Sequence, residues 1–308
     1  MISIIAPFYN EASCVSRFFA RLIPTMRSLG EPFEILCIND GSHDATLAHL
    51  IEIQRHNQEV KVIDLSRNFG KEAALTAGMD AACGEAVIPI DTDLQDPPEL
   101  IPQLLEKWRE GYEVVVAKRT DRSADSLAKR ASAHWFYYLY NRIADCAIPV
   151  NAGDFRVMDR TVVEAIKRMP ERNRFMKGLF AWVGFKTAVV EYAREGRIEG
   201  VSKFNGWRLW NFALEGITSF STAPLRIWTY LGLTVSMLAL IYASFIVIRT
   251  LVYGIDVPGY ASLLTAVLFL GGIQLIGIGI IGEYIGRIYL ETKHRPVYVI
   301  RKIHEASE

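Results

Sequence analysis

Between Ile227 and Gly282 only two residues, Arg249 and Asp256, are charged. No other feature limits the fold so strongly. The window divides into two runs, 227–248 and 259–282. Each is long enough to cross a hydrocarbon core of about 30 Å as a helix. The residues between them, Tyr253-Gly254-Ile255-Asp256-Val257-Pro258-Gly259, suffice only for a hairpin turn. A buried helical pair in a soluble core is the alternative, but soluble helices rarely exceed about 18 residues without a polar stripe. Arg226 precedes the first run, and Arg287, Lys293, His294 and Arg295 follow the second, whereas the turn has no Lys or Arg. The excess of cations at both ends predicts an integral membrane protein of the cytoplasmic (inner) membrane, with the soluble part and both termini in the cytoplasm. Arg249 is placed to snorkel at the outer end of the first span. Glu283 and Arg287, four apart, are expected to pair. Gly271, Gly272, Gly277, Gly279, Gly282 and Gly286 permit close helix packing, which leaves a homo-oligomer open.

Ahead of the spans, Phe204, Trp207, Trp210, Leu214 and Ile217 recur at helical spacing, with Arg208, Asn211 and Glu215 elsewhere on the wheel. This pattern predicts an amphipathic helix lying in the surface of a lipid bilayer, its indoles at headgroup depth. A packing helix of the soluble part is the plainer alternative. The aromatic run 134–140 invites the same two readings.

Composition narrows the soluble remainder. The chain of 308 residues has 34 basic and 34 acidic side chains, so no global field draws it to nucleic acid, which is not expected as a partner. Its 51% hydrophobic content excludes a disordered chain. Cys14, Cys37, Cys83 and Cys146 form no CxxC pair, which argues against a zinc ribbon and for scattered thiols in a reducing compartment. The first residues, MISIIAPFYNEA, lack the basic start of a secretory signal.

Residues 1 to about 120 alternate between two patterns. Short β-rich apolar runs (2–6, 33–38, 60–65, 86–90, 113–117) alternate with helical stretches (12–29, 44–57, 71–83, 98–109). This predicts an α/β domain with a mostly parallel sheet. Ligands of such sheets bind outside the carboxyl ends of the strands. Three polar motifs fall there: Pro7-Phe8-Tyr9-Asn10-Glu11, Asn39-Asp40-Gly41-Ser42 and Asp91-Thr92-Asp93-Leu94-Gln95. Alone, the second reads as a turn before a helix and the third as a solvated loop before the Pro97-Pro98 helix start. Together, at successive strand ends, they read as a site. There is no GxGxxG and no GxxxxGK[ST], so neither a Rossmann dinucleotide site nor a P-loop is supported.

Asp91, Asp93 and Gln95, as alternate residues at a strand end, can offer hard oxygens to a divalent cation. Mg²⁺ and Mn²⁺ favour carboxylates in combination with substrate phosphates. Lys118, Arg119, Arg122, Lys129, Arg130, Arg194, Arg197 and Lys203 follow, and clustered Arg near an acidic metal site suits phosphate clamps, although each alone can equally be a surface charge.

These residues resemble the family 2 glycosyltransferases with a GT-A fold. Among those the chain looks like the polyprenyl-phosphate glycosyltransferases, the group of bactoprenol glucosyltransferases and dolichol-phosphate mannose synthases. The first motif carries the resemblance, with the second and third in their longer forms Asn39-Asp40-Gly41-Ser42-His43-Asp44-Ala45-Thr46 and Asp91-Thr92-Asp93-Leu94-Gln95-Asp96-Pro97-Pro98, together with Arg67-Asn68-Phe69-Gly70-Lys71-Glu72, Asn151-Ala152-Gly153-Asp154-Phe155-Arg156 and Arg197-Ile198-Glu199-Gly200-Val201-Ser202-Lys203-Phe204. Val201 is a mild departure, since relatives often carry a polar residue there.

The resemblance implies a catalytic domain over 1–203, an interfacial helix over 204–225, two spans within 226–290 (about 227–249 and 259–282) and a tail over 291–308. It further implies that Pro7, Tyr9, Glu11 and Asp40 hold the nucleobase and ribose of a nucleotide-sugar donor, and that Asp91, Asp93 and Gln95 bind Mg²⁺ or Mn²⁺. By the same resemblance Arg119, Arg130, Arg197 and Lys203 handle the donor diphosphate or the lipid phosphate, and Asp154 is a base or acceptor-positioning group. Asp154, Asp93 and Arg119 are thus the catalytic candidates. A phosphomonoester is already anionic at neutral pH, so positioning matters more than proton removal. The implied reaction is inverting transfer of a hexose, with UDP-glucose favoured and GDP-mannose or a UDP-linked amino sugar as alternatives, to polyprenyl phosphate. A silent lipid-carrier-binding subunit is the competing class, disfavoured by the intact Asp91/Asp93/Gln95 set. A processive polysaccharide synthase is disfavoured by the lack of QxxRW.

Overall fold

The computed structural model describes residues 1–120, 152–169, 171–172, 174–192, 223–254 and 259–305. They divide into two compact units, Met1–Gly216 with Arg295–Glu308, and Ile217–His294.

The first unit alternates strand and helix as the sequence predicts. The strands β1 (Ile2–Phe8), β2 (Phe33–Asn39), β3 (Val60–Leu65) and β4 (Ala86–Pro89) are linked by the helices α1 (Ala12–Ser28), α2 (Thr46–His56) and α3 (Lys71–Ala81). A 3₁₀ turn, Pro98–Leu100, leads into α4 (Ile101–Arg109) and β5 (Val114–Arg119). Then come β6 (Ala152–Asp159), α5 (Arg160–Lys167), α6 (Met176–Trp182) and β7 (Thr187–Tyr192). Among the described residues these strands and β8 (Ile300–His304) form one sheet in the order β7-β5-β6-β4-β1-β2-β3-β8.

The centre of the sheet, β3-β2-β1-β4, is parallel, as is the pair β5-β7; β6 and β8 run antiparallel to their neighbours. The central strands are near-continuous apolar runs because helices cover both of their faces. On one face α1 buries Val15, Phe18, Phe19, Leu22 and Met26. Phe8, Phe18 and Phe19 pack edge-on and stacked with centroids 5.4–6.3 Å apart. Each buried Phe contributes about 1.5–3 kcal/mol by removal from water. On α3, Ala73, Ala74, Ala77 and Gly78 are buried, and a Cβ at Gly78 would overlap the side chain of Ile5 on β1.

The tail region, 291–308, carries an element that the sequence reading does not include. β8 pairs with β3 (Ile63 opposite Ile303), and Arg301 donates to Asp64 Oδ2 at 3.1 Å. Tyr298 donates to Asp80 on α3 at 2.8 Å.

The second unit contains α7 (Ala223–Tyr253) and α8 (Tyr260–Thr292), of 31 and 33 residues. At 1.5 Å per residue each exceeds about 45 Å. Both helices are long and apolar enough to cross a membrane, and they extend beyond the spans the sequence marks out. Most of their described apolar side chains are exposed; Leu251 is 81% exposed, which a buried soluble pair would not allow. Of the glycines singled out in α8, Gly277 alone has an atom within 4 Å of where its Cβ would stand: the indole of Trp228 lies there. Arg287 donates to Glu283 at 3.1–3.2 Å, the pairing expected from their spacing. Cys14, Cys37 and Cys83 are free thiols. Of the interfacial helix expected over 204–225, residues 204–222 lie outside the described residues and 223–225 belong to α7, and the aromatic run 134–140 lies outside the described residues.

Candidate active site

The strand order reverses its direction of growth at β1, so the carboxyl ends of β1 and β4 flank the point where open α/β sheets take ligands. Both β1 and β2 run past the apolar residues into the motifs, which fixes Pro7 and Asn39 in the sheet.

Most of the Asn39-Asp40-Gly41-Ser42-His43-Asp44-Ala45-Thr46 motif builds the frame of the site. Asn39 donates to Asp64 Oδ1 at 2.7 Å. The Ser42 hydroxyl accepts from Asn10 N at 3.1 Å, and Asn10 Oδ1 accepts from His43 N at 2.8 Å, holding Asn10 in a left-handed conformation (φ 53°). Asp44 accepts from Ala12 N at 3.2 Å and from Thr46 N at 3.0 Å, so it satisfies orphan amides at the starts of both α1 and α2. Asp40 is 3% exposed, and its two oxygens accept from Phe69 N (2.7 Å) and Gly70 N (2.9 Å). In these contacts Asp40 anchors the loop leading into α3. Gly41 lies against the same loop with φ +63°. Tyr9 is exposed at the end of β1, and Glu11 accepts a short hydrogen bond from the Thr92 hydroxyl, tying that end to the acidic stretch.

The acidic stretch is a turn that directly follows the end of β4. β4 stops at Pro89, Leu94 takes φ 57°, and Asp93 Oδ1 accepts from Gln95 N at 3.2 Å. Asx turns of this kind let Asp out-compete a strand ladder for its neighbour's amide. Asp91 and Asp93 are half-buried and Gln95 is buried. Among the described residues no three His, Cys, Asp or Glu side chains converge as a metal cluster. A cation here would therefore depend on two carboxylates, the Gln95 amide and oxygens from substrate, the set that suits Mg²⁺ and Mn²⁺. The residues fit such an ion: a cationic group already rests on Asp91.

That group is Lys71, which the sequence reading quoted within a motif but gave no role. Its ammonium lies 2.6 Å from Asp91 Oδ1, 2.9 Å from Asp91 Oδ2 and 2.6 Å from Asp154 Oδ2. Desolvation opposes its charge, but the two carboxylates outweigh that and hold Lys71 protonated. Asp154, at the start of β6, is desolvated too, yet Lys71, Lys177 and Arg156 hold it well below the usual carboxylate range. A carboxylate kept so firmly ionised is a weak proton acceptor. Arg156 is 5% exposed, lies 4.0 Å over the Phe180 ring and donates to Gly153 O at 2.8 Å. Burial brings Arg156 down to about 10. Glu72 accepts from Met176 N at 3.3 Å, and desolvation with the nearby Asp154 charge pushes it up to about 8. Neither Arg156 nor Glu72 is distinguishable by local pattern from a helix or strand residue of the core.

Arg119 ends β5. Its Nη2 lies 3.5 Å from Asp96 Oδ1 and its Nε donates to the Tyr192 hydroxyl at 3.3 Å, while Tyr192 donates a short bond to Asp96. Burial works against its charge, but Asp96 and Tyr192 hold it above the ordinary guanidinium value. Lys118 instead pairs with Glu191 across β5 and β7 at 2.9 Å, a surface charge pair. Arg130, Arg197 and Lys203 lie outside the described residues, as do Arg122, Lys129 and Arg194. Asp91, Asp154 and Lys71 are thus brought together, with Asp93 and Gln95 on the turn that Asp91 opens.

Residues 3–167 match the family "Glycosyl transferase family 2", and residues 223–288 match the "GtrB C-terminal hairpin". An uncharacterized glycosyltransferase of Synechocystis sp. is 55% identical over 299 residues, 97% of this chain and 94% of that protein. The bactoprenol glucosyl transferase of Shigella phage SfII is 54% identical over 306 residues, 99% of both chains. A solved structure of glucosyl-3-phosphoglycerate synthase from Mycobacterium tuberculosis covers 70% of this chain and 76% of its own at 18% identity, with a TM-score of 0.46.

Proposed function

The chain belongs to glycosyl transferase family 2 and is a glycosyltransferase; on that premise we propose that it moves glucose from UDP-glucose to a polyprenyl phosphate at the cytoplasmic membrane face. The observation that carries this reading is the acidic turn at the switch point, whose Asp91 already binds a cationic group beside Asp154. Relatives named bactoprenol glucosyl transferase, alike over nearly the whole chain, support the glucose and the lipid carrier. The helical hairpin supports a membrane substrate, because a lipid phosphate at the headgroup plane is rarely met by a freely diffusing enzyme. Positive-inside reasoning places both termini in the cytoplasm.

The residues divide the work as follows. Pro7, Tyr9 and Glu11 take the nucleobase and ribose, with Asp40 acting through the loop that it anchors. Asp91, Asp93 and Gln95 would hold Mg²⁺ or Mn²⁺, which when bound neutralises the diphosphate of the leaving nucleotide. Arg119, oriented by Asp96 and Tyr192, adds a fixed positive charge for the same diphosphate, and Arg130, Arg197 and Lys203 serve it or the acceptor phosphate. An acceptor phosphate oxygen attacks C1 of the glucose, the bond from C1 to the diphosphate oxygen breaks, and UDP leaves with the electron pair and with inversion at C1. The acceptor has a second pKa of about 6 and needs no base at neutral pH. Asp154, held ionised by Lys71, orients groups around the acceptor and does not remove a proton. Residues 1–203, with β8 returned from the tail, form the catalytic part, 204–222 the interfacial helix and 223–292 the spans.

The test offers purified protein radiolabelled UDP-glucose, UDP-amino sugars and GDP-mannose with a short polyprenyl phosphate and Mg²⁺ or Mn²⁺. Label passing into the lipid fraction from UDP-glucose alone is the expected result. Transfer from GDP-mannose or a UDP-amino sugar instead would replace the donor, and transfer from none would favour a silent carrier-binding subunit.

A further inference from the structure

Lys71 occupies the first position of α3, where an ammonium opposes the helix dipole. Helix stability therefore does not account for it. The chain nevertheless fixes it there: Asp40 clamps Phe69 N and Gly70 N, Gly70 turns with φ 99°, and the Lys71 side chain reaches two carboxylates from different strand ends. Its side chain is still 41% exposed, and those of Asp91 and Asp154 are 34% and 14% exposed.

We propose that Lys71 is an internal counter-cation that competes with the divalent ion for Asp91, keeping the donor-free site poor in metal. The inference rests on the reading above that Asp91 is a metal ligand. Lys71 lies within hydrogen-bond distance of both Asp91 oxygens, so any second cation on that carboxylate stands close to the ammonium and is repelled by it. Lys71 must withdraw from Asp91 before an ion can settle there, and Asp154 gives it a place to remain. The donor diphosphate brings enough negative charge to shift this balance, so occupation of the metal site becomes tied to arrival of the nucleotide sugar. The same shift leaves Lys71 wholly on Asp154, which links the donor side of the site to its acceptor side.

The test measures Mn²⁺ binding by electron paramagnetic resonance to the full chain in detergent, with no donor or acceptor present. Lys71→Met is expected to bind Mn²⁺ about tenfold or more tightly than the wild type, and Lys71→Arg to stay close to it. Lys71→Gln, which keeps hydrogen-bonding groups without the charge, is expected to follow Lys71→Met and serves should that variant not fold. Unchanged or weaker Mn²⁺ binding in the neutral variants overturns the proposal. Adding Asp91→Asn to the Lys71→Met background separates the two claims. Loss of the tight binding supports Asp91 as the shared ligand, whereas tight binding that survives the double substitution overturns the Asp91 reading and the competition with it.

Discussion

Asp91→Asn is expected to lower glucosyl transfer on the order of a thousandfold while leaving the melting temperature within a few degrees of the wild type. The substitution keeps the shape and removes the charge. The side chain is 34% exposed and its ion pair with Lys71 is reached by solvent, so its contribution to folding is small. In the proposed mechanism its contribution to catalysis is large, because the diphosphate accumulates negative charge as the glycosidic bond breaks and the acidic turn would hold the countercharge in place. Steady-state kinetics with UDP-glucose, alongside thermal unfolding, checks both halves. A variant that retains a tenth of the activity would place the chemistry elsewhere.

Gly41→Ala is expected to have a comparable effect on activity by a different route. At φ +63° an alanine is strained, and its Cβ would stand 2.3 Å from Arg67 C and 2.5 Å from Asn68 N. Those are backbone atoms of the loop that Asp40 anchors, so the loop must move and Lys71 moves with it. We expect a loss of about 2–4 kcal/mol of stability together with most of the activity. Gly30→Ala is the matched control: its φ is +68° but nothing lies within 4 Å. It carries the conformational penalty of about 1 kcal/mol without the collision, and its activity is expected to remain. Thermal unfolding of the two variants side by side separates strain from displacement.

The glycine pair also shows what could be read in the sequence and what could not. The alternation over residues 1 to about 120 was legible because parallel strands buried on both faces are short apolar runs between amphipathic helices. The position of the motifs at strand ends, where such sheets bind ligands, was legible too. Their division of labour was not. Nothing in the order of Asn39, Asp40, Ser42 and Asp44 says that they hold neighbouring loops, because each partner is distant in sequence: Phe69 and Gly70 for Asp40, Asn10 for Ser42, Ala12 for Asp44. Lys71 escaped for the same reason, although a lysine at the first position of a helix is a signal that its partner lies outside the helix. The antiparallel strands β6 and β8 depend on pairings between residues distant in sequence, Val87 with Met158 and Ile63 with Ile303, which local periodicity does not encode. The acidic stretch does follow the end of β4, but local periodicity does not show that the Asp93 and Leu94 geometry folds it into a turn. Membrane-spanning length, in contrast, is a property of composition alone, and the two helices appear where the charges vanish.

In the proposed mechanism a divalent cation at Asp91, Asp93 and Gln95 steadies the departing UDP. The most direct test follows label from UDP-glucose into a short polyprenyl phosphate with protein stripped of divalent ions by chelator, and again as Mg²⁺ or Mn²⁺ is restored. Stripping is expected to lower transfer by at least about a hundredfold, and adding back either ion to restore it. Undiminished transfer by the stripped protein would contradict the proposed mechanism.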